Sequence, residues 1–198
     1  MPEQMNQNVA RGAATREHLV DVATKLFAER GYENTSIETV LQEASVSRGS
    51  LYHHFKNKEA LFEAVLEAME NDIGLRVMEA ASQAPDAKTM LRLGALAWVQ
   101  LAGDPVVQRV LLVDAPSVLG WDRWRALEER HALGLVKGAL GAIADQGELD
   151  PELVDVFSHV TLAAMNEIAL LVARSDQPDR AARLGADALE EVLSRLLG

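Results

Sequence analysis

From Thr15 to Arg30 the apolar residues Leu19, Val22, Ala23, Leu26 and Phe27 recur at i, i+3, i+4, i+7 and i+8. That spacing lines one face of a helix turning by about 100° per residue; a strand cannot use it, because its side chains change face at every residue. Helical spacing of this kind returns along almost the whole chain, while alternating β-branched and aromatic runs with hairpin turns are nearly absent. The chain therefore reads as all-α.

The punctuation agrees with helices. Gly31 stands where a left-handed C-cap ends the first one. Thr35 lies three residues before Glu38, a spacing that predicts a capping box opening a second helix with Ile37, Val40 and Leu41 on its buried side. Ser45-Val46-Ser47 interrupts it, and Ser47 caps a third helix whose Leu51 and Phe55 share a face. Asn57 caps a fourth, whose stripe of Leu61, Val65, Met69 and Ile73 runs to about Ala81. Beyond Pro85 helices are expected at about 87–102, 105–113, 121–145, 151–174 and 179–197, about nine in all. Asp104-Pro105 and Asp150-Pro151 each place a capping carboxylate before a proline at the first helical position, and Ala115-Pro116-Ser117 and Asp176-Gln177-Pro178 read as turns.

Charge limits how such a bundle meets nucleic acid. Nineteen Lys and Arg against 30 Asp and Glu leave a net charge of −11, which excludes a generally basic coat or a polybasic membrane binder. The imbalance is uneven: residues 1–57 hold 6 basic and 7 acidic side chains, the remainder 13 and 23. Ala44 to Lys58 contains Arg48, Lys56 and Lys58 and no acid. The absence of cysteine excludes disulfides, thiolate metal sites and cysteine nucleophiles, and fits the cytoplasm. The longest charge-free runs, Leu93 to Gly103 and Val156 to Asn166, have 11 residues each, so no membrane partner is expected. The polar start, residues 1–13, reads as a disordered arm rather than a signal peptide.

Two short helices joined by a tight turn and buttressed by a longer one form a helix-turn-helix, whose second helix is presented to a major groove. On a helical wheel Leu51 and Phe55 fall together, with Gly49, His53 and Lys56 opposite and Ser50 and Tyr52 flanking them; Arg48 falls nearer Phe55. Gly49 lets the backbone approach DNA closely, and the helix N-terminus offers N–H groups to a phosphate. His54, beside the apolar face, reads as a packing or hydrogen-bonding residue rather than a DNA contact.

Ala28 to Tyr32, Thr35 to Ile37 and above all Ser45 to Leu61 (SVSRGSLYHHFKNKEAL) resemble the tetracycline-repressor-type (TetR) family. The likeness covers about 50 residues near the N-terminus. It implies a one-component regulator, usually a repressor, that binds palindromic double-stranded operator DNA as a homodimer and is released when a small-molecule effector occupies its C-terminal domain. Carried over by position, it puts Thr35, Ser47, Tyr52 and Lys58 on phosphates, and Arg48, Gly49, Ser50 and His53 at or near base edges. Lys56 adds charge to the same face. The domains expected are the arm at 1–13, the DNA-binding domain at 14–57 and a ligand-binding and dimerisation domain at 58–198.

Trp98, Trp121 and Trp124 lie where the family builds its effector cavity, and His131, His159 and Asn166 are polar groups on apolar stretches; these six are the ligand candidates. The last two helices carry Leu153, Phe157, Val160, Leu162, Leu171 and Val172, then Leu184, Leu189, Val192, Leu193 and Leu196, more apolar residues than one hairpin needs, and by the resemblance they pair across a two-fold axis. Glu128 and His131 have Glu-x-x-His spacing, half of a di-metal motif, but the second half is missing and a salt-bridged surface is the expected setting. No metal, cofactor or enzymatic constellation is expected. An activator or ligand-independent regulator would share these features, and a helical adaptor that never touches DNA is the remaining alternative.

Overall fold

The structure, a computed structural model, describes residues 2–197; Met1 and Gly198 lie outside them. Every regular element among the described residues is helical. In chain order these are α1 (Pro2–Arg30), α2 (Ile37–Ala44), α3 (Arg48–His54), α4 (Lys58–Ala81), α5 (Ala87–Leu101), α6 (Ala115–Leu119), α7 (Trp121–Glu128), α8 (Gly134–Asp145), α9 (Val154–Ala173) and α10 (Pro178–Leu197). Val107–Asp114 and Glu129–Leu133 are π-type segments; the first leads into α6 and the second joins α7 to α8, so the described residues form nine helical runs.

The chain divides into one compact unit through Ala68 and another from Met69. The boundary falls inside α4, eleven residues past the expected break after Asn57. The reason is packing: Leu61, Phe62, Val65 and Leu66 are fully buried, and the Phe62 ring meets Phe27 edge-on at 5.1 Å and Tyr32 at 4.8 Å. The opening turns of α4 thus complete the first core.

In that unit α1 packs against α2 and α3 through Leu19, Ala23, Phe27, Val40 and Leu51, all with no exposure. Gly31 adopts φ 78° and its N–H donates to the Phe27 carbonyl at 2.8 Å, closing α1 in the expected C-cap. At the other end α1 runs back to Pro2, where the sequence reading had a disordered arm. Extending an anchored helix needs no new nucleus, and Ala10, Arg11, Ala13 and Ala14 are good helix formers.

The expected Thr35–Glu38 capping box does not form. Ser36 is the N-cap of α2, its Oγ accepting from the Thr39 N–H at 3.1 Å, while Thr35 faces inward. Ser45 closes α2 in the left-handed region (φ 53°), and the Ser45 and Val46 N–H groups donate back to Gln42 and Leu41. Ser47 then caps α3 by accepting from the Ser50 N–H at 3.2 Å, and Asn57 caps α4 by accepting from Ala60 N–H at 2.8 Å.

The second unit is a bundle in which α5, α8, α9 and α10 pack on one another around Val99, Leu140, Ile143, Ala169 and Leu189. Asp104 and Asp150 cap the segments after them as their prolines predict. Pro151–Ala173 is long and apolar enough, at mean hydropathy 1.6 over 18 residues, to cross a membrane by length and composition, a test that a core helix of a bundle also passes. Counting charge-free runs missed it because scattered acids such as Glu167 interrupt the run without removing the apolar average. The helix is apolar on both sides: Leu162, Met165 and Ala169 face the core, whereas Val156 and Val160 are more than half exposed.

Candidate nucleic-acid interface and small-molecule cavity

The turn and the Ser47 cap fix where α3 starts, and burial of Leu51 and Phe55 fixes which side it turns outward. The outward side carries Ser47, Arg48, Gly49, Tyr52, His53 and Lys56, all exposed, with Ser50 half-buried beside them. Seven of the nine expected DNA contacts are therefore together on one accessible polar face. Gly49 has open space where a Cβ would stand.

Arg48 escapes the apolar side on which the wheel had put it. Its guanidinium donates to Glu38 Oε1 at 2.5 Å, an exposed pair linking α3 to α2. A hydrogen bond from its own backbone N–H, then the Arg48 contact, holds the Glu38 carboxyl below the usual range. An exposed pair of this kind contributes little and exchanges readily for another anion. Lys58, half-buried, donates to the Tyr32 carbonyl at 2.9 Å and sits 4.0 Å from the Tyr32 ring centroid. That uses one of its three N–H donors.

Thr35 is the correction. Its side chain has no exposure, and its hydroxyl is directed at the carbonyls of Gly31 (2.9 Å) and Leu26 (3.2 Å). It ties the α1–α2 corner and has no surface for a phosphate; the exposed hydroxyl there is Ser36. His54 packs as expected, its ring against those of His53 and Phe55, and burial followed by the charges of His53 and Arg16 pushes it below the ordinary imidazole range. Arg16 lies over the Phe55 ring at 5.3 Å, on the same unit.

The second unit holds a partly open cavity of about 320 Å³, walled by α4, α5, the end of α7 with the π segment after it, α8 and α9. Its lining is apolar except at Glu70, Ser82, Glu128, His131 and Asn166, with Trp98 on the α5 wall. Glu128 is 3% exposed; its Oε2 accepts from the Asn166 side-chain N–H at 2.6 Å, and its Oε1 has no hydrogen-bond partner. Burial, then the charge of Glu70, pushes its carboxyl up to about 8. Trp98 is 7% exposed and its indole N–H has no partner either. Widening the helix through Glu129–Leu133 places His131 and Ala132 in the wall.

Two family models match this chain: "Bacterial regulatory proteins, tetR family" over residues 19–65 and "Tetracyclin repressor-like, C-terminal domain" over residues 88–196, more than half of the sequence. The chain belongs to the TetR family. It is 40% identical over 182 residues to the Transposon Tn10 TetC protein of Escherichia coli, a match covering 83% of this chain and 87% of that one. It is 39% identical over 79 residues to the HTH-type transcriptional regulator AcrR of Shigella flexneri, covering 39% of this chain and only 37% of that relative. Among solved structures it is similar to a TetR-family transcriptional regulator from Pectobacterium atrosepticum, at 29% identity and a TM-score of 0.83, covering 95% of this chain and 96% of the other. The TetR family is one of regulatory proteins, not of enzymes.

Within this TetR-type chain the six ligand candidates divide evenly. Trp98, His131 and Asn166 line the cavity; Trp121, Trp124 and His159 do not. Trp121 is 55% exposed and its ring meets that of Trp124 at a tilt, 4.8 Å between centroids, with Trp124 sealed in the core. His159 sits half-buried beside Asp155, which Lys137 holds below the usual carboxylate range. The sequence reading missed Glu70 altogether and misplaced Glu128 on a salt-bridged surface. The Glu-x-x-His spacing correctly put Glu128 and His131 on one side of a helix, but which side faces inward depends on the helices packed against it.

Proposed function

We propose that this TetR-family protein is a cytoplasmic, homodimeric regulator of transcription, acting as a repressor, which a small molecule in the second unit's cavity releases from a palindromic operator. The observation that carries the reading is α3: a capped helix, anchored from behind by Leu51 and Phe55, that turns Arg48, Gly49, Tyr52, His53 and Lys56 outward on an otherwise acidic protein. Such a helix fits a major groove. Ser47, Tyr52 and Lys58 then meet phosphates, Arg48 reaches a base edge on leaving Glu38, and Gly49, Ser50 and His53 lie against the groove.

The outer faces of α9 and α10 support the dimer. Val156, Val160, Leu171, Leu184 and Val192 are exposed there, and pairing with a second copy buries them. Two copies related by a two-fold axis present two α3 helices to half-sites about one turn of DNA apart. For release, α4 is the element common to both units: its start carries Lys58 and Phe62, its later turns Glu70 and Ile73 of the cavity wall. A ligand that favours a shifted α4 disfavours the DNA-bound state, and by linkage binds less tightly when operator is present.

The test uses a duplex selected by the protein from a random pool. In mobility-shift titrations Arg48→Ala is expected to lose preference at one base position by about 1–3 kcal/mol. Lys58→Ala should weaken all sequences alike and reduce the salt slope by about one. Selection that enriches no common sequence, or unchanged binding by both variants, overturns the reading.

A further inference from the structure

The cavity is lined mostly by apolar side chains, yet two carboxyl groups, Glu70 from α4 and Glu128 from the end of α7, are 5% and 3% exposed in its wall. Neither an aqueous channel nor an ordinary core accounts for two acids in one apolar space. Asn166 satisfies one oxygen of Glu128 and leaves Oε1 without a partner. Arg125, the neighbouring cation on α7, is ion-paired to Glu129 at 3.2 Å. On the α5 wall the Trp98 N–H is a second polar atom, buried and without a partner. An acceptor and a donor that the protein itself does not satisfy ask for a ligand that carries both complements.

We infer that the cavity takes an apolar amine: a molecule of about a dozen non-hydrogen atoms whose protonated nitrogen sits between Glu70 and Glu128 and which offers an acceptor atom to Trp98. Size follows from the volume of about 320 Å³, roughly twice the ~150 Å³ that holds one benzene ring. Charge follows from the carboxyl pair. A cation lets Glu128 give up its proton beside Glu70 and offsets the charge of both carboxylates while supplying hydrogen bonds; a neutral hydroxyl supplies only the hydrogen bonds; an anion brings a like charge against the acids. The Trp98 ring also offers a π face to a cation. This assignment rests on reading the cavity as the effector site, but its chemistry is tested without DNA.

The probes are 4-phenoxybutylamine, 4-phenoxybutan-1-ol and 4-phenoxybutanoate, which share a phenyl ring, an ether acceptor and a chain and differ in the terminal group. Calorimetric titration of the full-length protein at pH 7 should show the amine binding at least about tenfold tighter than the alcohol, with the carboxylate weakest. The charged and titratable groups around Glu128 are Glu70 from α4, Arg125, Glu129 and His131 on its own helical run, and the amide of Asn166 from α9. With its carboxyl pushed up to about 8, Glu128 is mostly protonated at pH 7, so seating an ammonium there releases a proton, visible as a heat that changes with the ionisation enthalpy of the buffer. Glu128→Gln keeps an acceptor for the Asn166 hydrogen bond, abolishes proton release and costs the amine about tenfold more than it costs the alcohol. Equal or tighter binding of the alcohol or the carboxylate, amine binding without proton release, or no binding by any of the three overturns the inference. If the amine binds as expected and fails to dissociate the selected duplex, the site assignment stands and the release mechanism falls.

Discussion

Gly49 sits in the first turn of α3 with nothing within 4 Å of the position a Cβ would take. The protein's own packing therefore places no demand on this glycine, and a helix gains from alanine there by up to about 1 kcal/mol. Gly49→Ala should raise the thermal midpoint slightly and weaken binding to the selected duplex, because the added methyl stands between backbone and groove. Undiminished affinity in a mobility shift would separate Gly49 from the interface. Glu128 makes the opposite kind of prediction. Its folded carboxyl titrates near 8, above its ordinary value, so the native state holds a proton that the unfolded chain gives up. Stability then falls as pH rises from about 5 to 8, at most by about 1.4 kcal/mol per pH unit for this one group. Urea midpoints across that range should decline less steeply for Glu128→Gln, which is also more stable than the parent at pH 8; parallel curves would mean that Glu128 is solvated.

Among the elements, α10 is the most tightly constrained by a single small residue. A Cβ at Gly185 would meet the Ile168 Cγ2 on α9 at 2.6 Å, with Val172 and Val99 at 3.8 Å. Neither the β-branched Ile168 nor the helix backbones can yield without opening the α9–α10 seam. Gly185→Ala should cost about 1–3 kcal/mol despite its better helix propensity, measured as a lower denaturation midpoint. A gain in stability would show that α10 slides freely. The cap residues of the helices were legible one by one, since a side chain that serves its own backbone needs no distant partner: Ser47, Asn57, Asp104 and Asp150 all do so. Thr35 and Ser36 were not separable in this way. Both are hydroxyls at a helix start, and only the packing of the α1–α2 corner turns one inward and leaves the other to cap.

For the whole molecule the exposed apolar faces of α9 and α10 are decisive. Val160→Asp places a charge in the proposed two-fold seam at a position half open in the single chain. Light scattering should report a monomer for this variant at micromolar concentration, with a near-parental helical spectrum. Affinity for a two-half-site duplex should fall by more than about tenfold, since the second head no longer binds as an intramolecular event. A dimer that survives the substitution would move the interface elsewhere. The −11 net charge makes the same assembly sensitive to salt, since the few cations around α3 must act against a distant acidic field.

Periodicity, caps and turn residues belong to the sequence alone, because each is a relation between a residue and its neighbours within about one turn. They determined an all-helical chain, the place of the helix-turn-helix and the outward face of α3, where the anchors Leu51 and Phe55 leave a single side to solvent. What lies between helices distant along the chain belongs to the tertiary structure. Glu70 and Glu128 are separated by most of four helical runs, and an amphipathic pattern does not reveal which polar residue on an inner stripe will meet another. The same physics put Trp124 in the core and Trp98 in the cavity wall: an indole suits either setting, and only the space left by the surrounding helices distinguishes them.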